Sequence, residues 1–140
     1  MNKLILIVLL LAIVEGCTKE DSTSTTPLNE VVDTTQSEIK KMGQFSNGPY
    51  GRVSGTAKVY KQNNQLLLAL EDMIISNGTD LHIYLSKEAD PINFIDLGKL
   101  KSTNGNQVYE IPVNTDLSMY KHALVHCQLY NHLFGNTELK

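Results

Sequence analysis

Two cysteines, Cys17 and Cys127, carry most of the chemistry this sequence offers. Cys17 follows Val14-Glu15-Gly16, which resembles a lipobox: an aliphatic residue, a variable one, a small one, then cysteine. In that reading Cys17 is acylated and becomes the mature N-terminus. Cys127 is then left without an intrachain disulfide partner. A leftover thiol in an exported protein is free, reactive or intermolecular, or it is simply a small buried hydrophobe.

Four histidines add a second question. Cys127-x4-His132 has a spacing compatible with copper, and His82 lies upstream on another predicted strand. Blue-copper centres combine two His, one Cys and a weak axial ligand. Here Leu133-Phe134-Gly135-Asn136 follows, so no Met stands at axial distance, and alternation sets His82 and Cys127 on opposite faces. The set His82, Cys127, His132 is therefore disfavoured, and no cofactor is identified. A hydrolytic Cys–His pair is weaker still, because His126 neighbours Cys127 and points to the other face. Asp72, Asp80, Asp90, Asp96 and Asp116 stand near strand ends without calcium-loop spacing. Turn support explains them better.

The start of the chain reads as a leader. Lys3 supplies a positive charge, and Leu4–Val14 is an apolar run of 11 residues. A spanning helix needs about 20, so the run suits a secretory signal over 1–16. The acyl chains on Cys17 each contribute about 0.8 kcal/mol per buried CH2, enough together for stable anchoring. Thr18-Lys19-Glu20-Asp21 resembles a surface-export signal of Gram-negative lipoproteins. The expected location is the cell envelope, lipid-anchored, at the outer membrane or cell surface. Residues 17–40 are rich in Ser, Thr and acids, and are expected to form a flexible tether without core contact.

Composition narrows the partners. Of the residues, 19% are charged and 41% apolar, with no Trp. Loss of Lys3 and Glu15 with the leader leaves 11 basic and 14 acidic residues, a net charge of -3. A mildly acidic chain without Lys/Arg clusters excludes nucleic acid as the expected partner. The expected partners are the membrane, through the anchor, and an envelope protein or redox partner.

From residue 45 onward apolar side chains recur with period two between turn residues. Arg52–Tyr60 and Leu66–Leu70 read as a hairpin, and Asn77-Gly78 is the strongest turn signal. Leu81–Ser86, Asn93–Leu97, Gln107–Ile111, His122–Tyr130 and Leu133–Leu139 follow as strands. Leu117–Lys121 reads as one helical turn. The expected fold is all-β, a small antiparallel sandwich or barrel of about seven short strands over residues 41–140. In His122–Tyr130 the apolar face carries Ala123, Val125, Cys127 and Leu129.

Five stretches in this order resemble the DM-thirteen domain, an extracellular domain also found in the Skeletor matrix protein. They are GRVSGTAKVY (51–60), NGTDLHIYLS (77–86), IDLGKLK (95–101), GNQVYEIP (105–112) and DLSMYKHALVHCQLYNHLFGNTEL (116–139). The resemblance spans roughly 43–140. It implies electron transfer outside the cytoplasm, with the cysteine of the last long strand, here Cys127, as redox residue. The family usually has an aromatic just before that cysteine, where this chain has His126, and an aliphatic residue at His132. From the residues alone, a non-catalytic binding or scaffold module is the alternative.

Overall fold

The computed structural model describes residues 22–140. Cys17 and the leader lie outside these residues. Among those described, ten strands form and no helix does. They are β1 (Leu28–Asn29), β2 (Ser37–Gln44), β3 (Ser46–Asn47), β4 (Val53–Gln62), β5 (Gln65–Ile75), β6 (Leu81–Ser86), β7 (Phe94–Lys99), β8 (Asn104–Ile111), β9 (His122–Cys127) and β10 (His132–Glu138).

Two five-stranded sheets result, ordered β1-β8-β5-β4-β2 and β3-β10-β9-β6-β7. Alternation explains the layering. Ala57, Val59, Leu68 and Leu70 from the first sheet meet Leu81, Ile83, Leu85, Ala123, Val125 and Cys127 from the second in one buried apolar cluster. Burying such side chains contributes about 25 cal/mol per Å² of apolar area, the main favourable term of folding. The all-β expectation stands. The count of about seven strands is corrected to ten: β1 and β3 are two residues each and too short to show a period, and β2 is an edge strand whose Ile39 and Met42 are exposed. The sheets are also not purely antiparallel, since β1 pairs with β8 in parallel.

The expected hairpin forms, but β5 runs on to Ile75. A bulge at Gly55 lets it do so: the φ of +124° there favours glycine, and a Cβ would meet the Met73 sulfur at 2.5 Å. Asn77-Gly78 does not close a hairpin. It lies between β5 of one sheet and β6 of the other. At 117–121 the chain makes a hydrogen-bonded turn, with Met119 and Tyr120 amides on the Asp116 carbonyl.

The tether expectation is corrected where it is described. Residues 22–30 lie along the domain rather than free of it. The Thr103 amide donates to the Ser24 carbonyl at 2.9 Å, and the Ser102 hydroxyl to the Thr26 carbonyl at 2.6 Å. Glu30 accepts the Val108 amide at 2.8 Å and pairs with Lys101 at 2.8 Å. That partnership outweighs desolvation and holds the Glu30 carboxyl below its ordinary pKa. The segment satisfies backbone groups instead of burying apolar area, so its polar composition disguises it. β2 starts at Ser37, before the expected boundary at 41, and pairs along β4 from Gln62 to Thr56.

Candidate functional site

β9 places its side chains on two faces, and each face gathers a different chemistry. The register pairs Leu81 of β6 with Cys127, and His82 with His126. Directly opposed residues share a face, so Cys127 points inward and both histidines outward.

Cys127 ends β9 and is 2% exposed. It sits in the apolar cluster with Leu81, Val125 and Phe134. It is the free cysteine of the described residues. Closed off in this way, the sulfur is out of reach of a partner's disulfide or a metal ion in solution. The turn Gln128–Asn131 follows at once and joins β9 to β10. It is exposed throughout, and its Gln128 amide donates to the Asp80 carbonyl. The alternation read through Leu129 is corrected here: β9 stops at Cys127, and Leu129 is 62% exposed. The turn breaks the period, because its residues no longer follow the pleat.

His132 is the register partner of Cys127 on β10. Its ring stacks on Tyr50 at 3.8 Å between centroids and 4° between planes, with Tyr130 at 6.0 Å. His82 lies across the sheet from Cys127. The set His82, Cys127, His132 is therefore not brought together. Among the described residues no group of three His, Cys, Asp or Glu side chains is arranged to hold a metal ion.

The outer face holds a polar and aromatic network that the sequence did not announce. His82 turns Nδ1 to Asp96 at 2.9 Å and Nε2 to Asp80 at 3.1 Å. A singly protonated ring donates to one of these carboxylates, a doubly protonated ring to both. Tyr84 is 1% exposed, stacked on Phe94 at 4.0 Å, and its hydroxyl accepts from Gln128 at 3.1 Å. Burial pushes the Tyr84 phenol above its ordinary pKa, and Asp96 adds to the effect.

His126 packs 5.1 Å from the Tyr84 ring and is 4% exposed. Its Nε2 lies 3.0 Å from the Asn131 side-chain oxygen, which can only accept, so the proton belongs on Nε2. Nδ1 is then a buried acceptor with no partner among the described residues. Desolvation holds the His126 pKa below the ordinary value, against the pull of Asn131. Alternation signalled which face these residues take. It gave no sign that the Gln128–Asn131 turn and Phe94 would cover them.

Of the five aspartates weighed for calcium, the structure uses Asp80 and Asp96 to hold His82. Asp116 accepts from the Ser118 amide and hydroxyl within its own turn. Asp72 has a φ of 52° at the bulge where its amide meets Asn106. The carbonyl of Asp90 accepts from Ser86.

The chemistry available to the domain is thus a closed thiol on one side of the second sheet and a packed His–Tyr–Asp network on the other. No curated protein and no solved structure matches the chain. The family model described as "Electron transfer DM13" matches residues 44–139, from the end of β2 to the last residues after β10. The match covers the whole second sheet, with Cys127 in it, and β4, β5 and β8 of the first, and by it the chain belongs to the DM13 family, the electron-transfer DM13 domains.

Proposed function

We propose that this protein is a lipid-anchored, extracytoplasmic electron-transfer domain whose redox group is Cys127, closed in the resting state and reached by local opening of the Gln128–Asn131 turn. The observation that carries this reading is the position of the thiol. Cys127 is the last residue of its strand, beneath an exposed turn, at one end of the core rather than in its middle. Exposed turns are where local opening is least costly. The reaction that suits a lone thiol is exchange with a partner's disulfide. The Cys127 thiol gives its proton to solvent, the thiolate attacks one partner sulfur, and a mixed disulfide forms. The other partner sulfur leaves as a thiolate.

The second reading is a binding or scaffold module without redox chemistry. The 2% exposure of Cys127 among aliphatic neighbours favours it. The two readings separate in the dependence of native-state alkylation on low urea. Local opening exposes little surface, so redox use gives a rate almost independent of urea well below the unfolding midpoint. A scaffold thiol reacts only through global unfolding, and its rate climbs steeply with urea from the first addition. The steep result would sink the electron-transfer role of Cys127.

A further inference from the structure

We infer that the end of the domain carrying Tyr50, Leu129 and Tyr130 rests on the lipid surface into which Cys17 is anchored, so that the turn over Cys127 opens toward a partner held at the same membrane or when the domain lifts away from it. The inference rests on Cys17 being the acylated residue; the rest comes from where the chain enters the fold. Ser22 bridges Thr79, and Ser24 accepts from Thr103. Only residues 18–21 separate Cys17 from Ser22. At full extension those five steps reach about 17 Å. The anchor therefore leaves the domain at the Thr79–Asp80 loop and holds that end close to the bilayer.

The same end is built for such contact. The Gln128 amide bonds the Asp80 carbonyl, which places the Gln128–Asn131 turn beside the entry point. Leu129 and Tyr130 are each 62% exposed there, and Tyr50 is 57% exposed on the far side of His132. Segments 45–51, 77–79 and 128–135 contain no Asp, Glu, Lys or Arg; the charges beside them are Arg52, Asp80 and Asp96, both carboxylates turned onto His82, and Lys99, 4.0 Å from Asp80. Tyrosine suits the headgroup level, where a ring meets apolar and wet surroundings at once. The opposite end also exposes apolar residues, Ile92, Val113 and Met119. It interleaves them with Lys87, Glu88, Asp90, Asp116 and Lys121, and no anchored segment leaves from it.

The chain has no tryptophan, so a single indole reports its own surroundings. The Tyr130→Trp and Val113→Trp variants are made in the full lipidated chain and reconstituted in vesicles of phosphatidylethanolamine and phosphatidylglycerol. Leu129→Trp serves as a second probe at the same end. Intact mass establishes acylation. The expected result is a blue-shifted emission for Tyr130→Trp and Leu129→Trp relative to their Cys17→Ser forms in solution. Lipids brominated on the acyl chains should quench both several-fold more than Val113→Trp. An acylated chain whose indoles at 129 and 130 emit as in water, and quench no more than the one at 113, overturns the docking alone. A chain found unacylated overturns the anchor and the docking with it.

Discussion

Leu81 and Cys127 face each other across β6 and β9, one buried against the other's strand at the end of the core. Trimming Leu81 to alanine removes apolar atoms beside the thiol. Leu81→Ala should cost roughly 2–5 kcal/mol of stability. It should also raise the native alkylation rate of Cys127 well beyond what that loss of stability predicts, because the cavity adjoins the sulfur. Alkylation kinetics and urea melts on the same samples decide it. Equal factors in both would mean that the thiol sees only global unfolding.

Gly105 has a φ of +91°, and a Cβ there would run into the carbonyl of Leu28. Gly105→Ala should therefore expel β1 and with it the bonds from Ser24 to Glu30. Deleting residues 22–30 should do the same without strain at β8. Each lost backbone bond costs about 1 kcal/mol, so a deletion that removes several should lower the melting temperature by many degrees. An unchanged melting curve would show that the segment merely lies on the surface.

Leu68 is fully buried, whereas Leu129 stands in solvent at 62% exposure. Leu68→Ala should cost roughly 2–5 kcal/mol, and Leu129→Ala within about 0.5 kcal/mol. Denaturant unfolding of the two variants tests the face assignment directly. A costly Leu129→Ala would mean that the turn packs more tightly than its exposure indicates.

His126 contributes a pH dependence of definite sign. Its folded pKa lies below the ordinary 6.5, with desolvation the main cause. Below 6.5 the unfolded chain therefore takes up a proton that the folded chain refuses, and stability falls as the pH drops from there toward the folded value. The contribution is complete above 6.5. The Glu30 carboxyl, held low by Lys101 and the Val108 amide, adds its own loss only below about its ordinary 4.5. Urea melts at pH 7.5 and 5.5 should show a smaller drop for His126→Gln than for the parent chain. Identical drops would assign the dependence to other groups.

How much of this was legible in the sequence depends on what each residue's neighbours do. Val59 and Leu68 announced their strands because the core rewards strict alternation. Cys127 could be placed inward for the same reason. β2 was hidden because SEIKKMGQ is an edge strand, with Ile39 and Met42 both exposed. β1 was hidden because its partner is β8, far along the chain, and its bonds are to backbone. Asn77-Gly78 marks a turn by its composition, but composition does not say whether the chain returns along the same sheet. The outer network around Tyr84 and His126 depends on cover from Phe94 and the Gln128–Asn131 turn, a tertiary event with no periodic signature.

The parallel pairing of Leu28 with Gly105 also fixes an order of events during synthesis. A chain emerges N-terminus first, yet β1 has nothing to pair with until β8 has been made. The hairpin of β4 and β5, and β2 beside it, can close much earlier, since their partners are near in sequence. Residues 22–30 therefore stay without their partner strand while most of the domain is being built. Residues 22–30 are thus expected to dock last, once β8 has paired with β5, so their amides should be the last of the first sheet to gain protection in a refolding experiment followed by hydrogen exchange.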